Sequence, residues 1–189
     1  MEDAQRNFAA QHPLAAARAW RRALEGGDRH PATLYNLGTA YLAADSLDSA
    51  IEVLERAAAI PIGSLRANAL FNLGLAYLKR GLASKGDAAA SSYQGAVRAY
   101  RSVLLATPND SAARWNYELA RKQLRQASSS AGGSGGGGGQ GEQQENKSNS
   151  ALARDEASQL LDAAARDERD ARARQQRPDR NPPAHGKDW

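Results

Sequence analysis

Three asparagines each follow directly on an aromatic residue: Tyr35-Asn36, Phe71-Asn72 and Trp115-Asn116. Aromatic rings give large contact area with few rotors, and a carboxamide both donates to and accepts from a neighbouring backbone. Such a column suits an extended peptide better than a small metabolite. Lys79 and Lys122, a few residues further along the same stretches, add charge for an acidic segment or a terminal carboxylate. A packing role fits the same residues, with the rings half-buried between adjacent helices and the amides bonded from one repeat to the next. Both readings are open at the level of sequence.

Catalytic chemistry finds no comparable constellation. His12, His30 and His185 are singletons with no acidic partner at ligand spacing. Cysteine is absent, which removes disulfides, thiol nucleophiles and thiolate metal sites together. The glycine cluster from Gly132 to Gly141 lacks the Lys and Ser/Thr of a phosphate loop and the strand that would precede it. Further on, Asp162 and Arg166, Glu168 and Arg172, and Asp170 and Arg174 stand at i,i+4, so these carboxylates are neutralised rather than tuned for acid–base work. The expectation is a non-enzyme with no cofactor and no metal.

The elements that carry the asparagines are announced by a recurring phrase. "LYNLGTAYL" (34–42) returns as "LFNLGLAYL" (70–78) and, blurred, as "RWNYELARK" (114–122). With Gly38 as the eighth residue of a 34-residue unit, Leu34, Leu37, Tyr41, Ala50, Leu54 and Ala57 fall on one pattern of small and large positions. One period earlier lie Ala16, Trp20 and Ala23; later, Leu70, Leu73, Gly74 and Tyr77 open a unit that Ala96, Tyr100, Val103 and Pro108 close. Between those halves lie ten additional residues, around Gly81 to Ser92. Small residues let two helices approach while the large ones fill the space between them. Boundary signals agree: Pro31 suits a first helical position, Gly26-Gly27 and Gly81 follow helical runs, and Asp110 stands at an N-cap. Leu37, Gly38, Tyr41, Ala50, Leu73, Gly74, Tyr77, Ala96 and Tyr100 are expected in the core.

Residues 1–127 resemble the tetratricopeptide repeat (TPR) family. The resemblance implies an all-α solenoid of about three helical hairpins plus a final helix. It also implies a concave groove lined by the first helix of each hairpin, with Tyr35, Asn36, Phe71, Asn72, Lys79, Trp115, Asn116 and Lys122 among the partner-binding positions.

After the repeats the composition changes. Residues 128–150 are rich in Gly, Ser and Gln with almost no apolar side chain, and read as a disordered linker. Residues 151–177 read as a charged amphipathic helix whose stripe includes Leu160 and Leu161, and 178–189 as an extended tail ending in Lys187-Asp188-Trp189. The order of "WNYELARKQL", a Gln- and Gly-rich linker, "ASQLLDAAARDERDARARQQR" and "KDW" is similar to the TPR proteins of the bacterial aerotolerance (Bat) group. That likeness implies an envelope-associated scaffold acting with von Willebrand factor A domain proteins and MoxR-type ATPases. The export or membrane segment common in that group is missing here, and the 34-residue register opens partway through a first helix. A short first helix, or a start further upstream with a targeting segment, would each account for this, so the compartment is left open.

Charge narrows the partners. Residues 1–127 carry 16 Lys and Arg against 11 Asp and Glu, scattered with no basic block, which argues against nucleic acid. No apolar run is long enough to span a bilayer. The expected function is therefore a protein–protein scaffold taking a partner peptide or tail in the groove. The alternative is an adaptor held off by its own C-terminal helix or tail, with Leu160, Leu161, Asp188 and Trp189 as the docking residues.

Overall fold

The computed structural model describes residues 2–132; the segments read as a second helix and a tail, with Leu160, Leu161, Asp188 and Trp189, lie outside the described residues, as does most of the linker. Within the described residues the chain forms seven helices and no strand. They are α1 (Glu2–Ala9), α2 (Pro13–Glu25), α3 (Pro31–Ala43), α4 (Leu47–Ala58), α5 (Gly63–Ala83), α6 (Gly86–Ala106) and α7 (Ser111–Gly132).

Local chemistry sets the ends of these helices. Pro13 and Pro31 open α2 and α3, where a missing N–H costs nothing. Asp28 accepts from the His30 N–H at 2.8 Å and from the Thr33 hydroxyl at 2.8 Å, and His30 Nδ1 accepts from the Ala32 N–H, which together fix the start of α3. Asp110 accepts from the Ala113 N–H at 2.8 Å, the N-cap expected of it.

Each helix packs on the next in sequence, and beyond that α5 packs on both α3 and α7. This is the contact pattern of stacked hairpins: α1/α2, α3/α4 and α5/α6, with α7 as a final helix. The fold is an all-α solenoid. The small positions bring the helices of a hairpin together. A Cβ on Gly38 would fall 2.6 Å from the Leu54 side chain, and one on Gly74 would fall 2.8 Å from the Tyr100 ring. Leu54 and Tyr100 are fully buried, and a leucine side chain so placed contributes about 1.5–3 kcal/mol. All of the expected core residues are buried except Tyr77, which is half-buried and donates its hydroxyl to Glu55 at 2.6 Å.

The ten additional residues do not form a loop. They lengthen both helices of the third hairpin where the two meet, and with an earlier start of α5 and a later end of α6 the pair has 21 residues each where α3 and α4 have 13 and 12. Gly81, read from sequence as following a helical run, lies inside α5. The reason is packing: a Cβ at Gly81 would fall 2.5 Å from the ring of Tyr93, which is 1% exposed, and one at Gly95 would fall 2.7 Å from Tyr77. Gly74–Tyr100, Gly95–Tyr77 and Gly81–Tyr93 thus repeat one device along the longer hairpin. The reversal between α5 and α6 is made at Gly86, whose φ of 57° suits glycine. With 22 residues, α7 matches the lengthened pair and continues to Gly132, five residues past the point where the composition turns polar.

Candidate functional site

α5 packs on both α3 and α7, so the three first helices, which carry the aromatic–asparagine pairs, lie side by side. The pairs do not share one environment. Tyr35 is 9% exposed and Asn72 is 2% exposed. The Asn72 carboxamide donates to Thr39 Oγ1 at 3.1 Å and to the Tyr35 hydroxyl at 3.5 Å, so it spans the seam between the second and third hairpins. Thr39 in turn donates to the Tyr35 carbonyl at 2.8 Å. This is a short polar network made within the array.

At the next seam the equivalent chemistry is missing. Asn116 takes the place of Asn72, but the α5 residues aligned with Tyr35 and Thr39 are Phe71 and Leu75, neither of which offers a hydroxyl. Asn116 is 2% exposed, and no hydrogen bond to its carboxamide occurs among the described residues. Phe71 is half-buried and meets Tyr100 edge-on with ring centres 5.5 Å apart. Trp115 is 59% exposed, one of the few large apolar side chains so placed. Asn36 is half-buried.

The two lysines also part company. Lys79 Nζ lies 2.8 Å from Asp45 in the α3–α4 turn, whereas Lys122 is exposed on α7. Beside Lys79, Arg80 donates to Asp48 at 3.0 Å and to Ser92 at 3.0 Å and lies over the Tyr77 ring at 5.1 Å. Burial, and then the hydrogen bond to Glu55, raise the Tyr77 phenol above its ordinary value. These contacts bind α5 to α4, to α6 and to the α3–α4 turn.

Sequence reasoning missed the flank of α7 that continues the close-packing positions of the earlier first helices. Leu34, Gly38 and Tyr41 on α3, and Leu70, Gly74, Tyr77 and Gly81 on α5, become Arg114, Glu118, Arg121 and Arg125 on α7, all exposed. The aligned phrases contained this signal, since glycine gives way to glutamate where a second helix would have to approach. This flank offers no small residue of the kind that lets Leu54 nest on Gly38.

Among the described residues no group of three or more His, Cys, Asp or Glu is placed to hold a metal ion, and His30 is engaged in capping α3. No described helix is long and apolar enough to cross a membrane. No protein-family model matches the chain, and no curated protein matches it.

Proposed function

We propose that the solenoid is a non-catalytic scaffold of tetratricopeptide type that binds an extended peptide or tail of a partner protein along its first-helix face. The observation that carries the reading is the pairing, at the α5–α7 seam, of an exposed Trp115 with an Asn116 carboxamide that has no hydrogen-bond partner among the described residues. A guest backbone satisfies that amide and covers that ring, and the gain is largest where water is excluded. Phe71 extends the apolar floor and Lys122 supplies the cation for an acidic group on the guest. Asn72 and Tyr35 hold the two neighbouring hairpins at the spacing the face requires.

By its resemblance to the aerotolerance group, the partner is a von Willebrand factor A domain protein in a bacterial envelope-associated complex, and nucleic acid is not a ligand. The test is capture of that partner by the full chain and by Trp115→Ala and Asn116→Leu variants of equal helicity. Loss of capture in both supports the face between α5 and α7. Unchanged capture moves the site elsewhere on the chain.

A further inference from the structure

The flank of α7 formed by Arg114, Glu118, Arg121 and Arg125 faces solvent at positions where each earlier first helix is covered by its own second helix. Glu118 pairs with Arg121 at 3.2 Å, with side chains 46% and 56% exposed for the arginine and glutamate respectively. Arg114 donates to the Pro108 carbonyl. Three guanidinium groups against one carboxylate leave the ridge positive.

Downstream of α7 the sequence passes through 18 Gly-, Ser- and Gln-rich residues (133–150) and then reaches "ALARDEASQLLDAAA", residues 151–165. That stretch carries Asp155, Glu156 and Asp162 against Arg154 alone, whereas residues 166–177 are rich in arginine. We infer that residues 151–165 bind in cis to the Arg114–Arg125 ridge of α7, as an acidic segment laid on a cationic helix flank. Charge and reach select this occupant. A coil of 18 residues of such composition spans about 23 Å, and Arg125 is about 10 Å from Gly132 along the helix. A tether of this length sets an effective concentration of order millimolar, so an intrinsic dissociation constant of about a millimolar half-fills the site. Individual exposed ion pairs are weak. The tether is what makes several of them sufficient, and salt must therefore release the segment.

The ridge adjoins the first-helix face without including Trp115 or Asn116, so this inference does not depend on the proposed guest. The chain has no cysteine, which allows a donor and an acceptor to be attached at Ala112→Cys and Ser158→Cys in the full-length protein. With the segment free, about 30 Å along α7 combined with a coil of about 28 Å separates the labels by about 40 Å. Bound along the ridge, the labels lie within about 25 Å. The expected result is the short distance at low salt, lengthening in about 1 M salt where the screening length is about 3 Å. It should lengthen also in Arg121→Glu/Arg125→Glu, and return when Asp155→Lys/Glu156→Lys is added to that pair. A distance indifferent to both salt and charge reversal overturns the inference. So does a short distance that appears only as protein concentration rises, because the segment then binds a second copy.

Discussion

Asn72 Nδ2 lies 3.1 Å from Thr39 Oγ1, joining α5 to α3, while Asn116 holds the same place on α7 with no hydroxyl opposite it. The two asparagines should respond to one substitution with opposite signs. Asn72→Leu breaks the bond to Thr39 and strips Tyr35 of a neighbour, a loss of about 1–2 kcal/mol. Asn116→Leu removes an amide with no hydrogen bond among the described residues from a residue that is 2% exposed, and should be neutral or stabilising by up to about 1 kcal/mol. Urea unfolding of the two variants decides it. Equal losses at both positions would contradict the division of roles.

The lengthened third hairpin rests on Gly81 and Tyr93. An alanine at Gly81 places its Cβ 2.5 Å from a ring that is buried and cannot swing away, so Gly81→Ala should cost about 1–3 kcal/mol. At Gly63, on the first turn of α5, a Cβ meets nothing within 4 Å. Gly63→Ala should instead add a few tenths to about 1 kcal/mol by narrowing the unfolded ensemble. Thermal unfolding of the pair separates close packing from a mere dislike of substitution.

That hairpin also marks how far the sequence was legible. Gly38 and Leu54 could be read from their places in a 34-residue unit, and Gly74 and Tyr100 from the same places once the ten additional residues between them are set aside. The Gly81–Tyr93 pair lies in an insertion outside that period, and glycine beside Ser84 and Gly86 has the composition of a loop. Only the antiparallel register of α5 on α6 shows that Gly81 repeats Gly74. Asn72 was ambiguous for a related reason. Whether a carboxamide faces a guest or a neighbour depends on what stands across the seam, and only packing revealed Thr39 and Tyr35 there. The Trp115 position was legible, its exposure was not.

Acid should loosen the turn between α2 and α3. Hydrogen bonds from the His30 N–H and then the Thr33 hydroxyl lower the Asp28 carboxyl below its ordinary value. A carboxyl lowered in the folded state contributes stability that is present above its unfolded value of about 3.9 and is lost as pH falls through the folded one. The stability difference between the unaltered protein and Asp28→Ala should therefore be full at about pH 6 and shrink at about pH 3. A difference that stays constant would remove the ionised carboxylate from the account.

Tyr77 gives the alkaline counterpart. Its phenol is raised by burial and by the bond to Glu55, so the neutral form contributes stability below the unfolded value of about 10. That contribution is lost as pH rises through the folded value, where a phenolate would face the Glu55 carboxylate. Tyr77→Phe should be less stable than the unaltered protein near neutrality and converge with it above about pH 10. Urea midpoints across that range provide the check, and parallel curves would refute it.

The tryptophans divide structure from function. Trp20 is 3% exposed and packs on Phe8 with ring centres 5.8 Å apart, so Trp20→Ala should cost about 3–5 kcal/mol and loosen α1 and α2 together. Trp115 is mostly in water, and a surface truncation of this kind changes stability by about 0.5 kcal/mol or less. If the α5–α7 seam takes a guest, that nearly neutral substitution should still weaken binding by about 2 kcal/mol or more, because truncating a buried aromatic anchor exposes the pocket around it. A stable Trp115→Ala protein with full affinity would show that the ring's exposure serves no guest. An unstable one would show that the ring is held by packing after all. Calorimetric titration of the partner, run beside thermal unfolding of the same sample, distinguishes the three results.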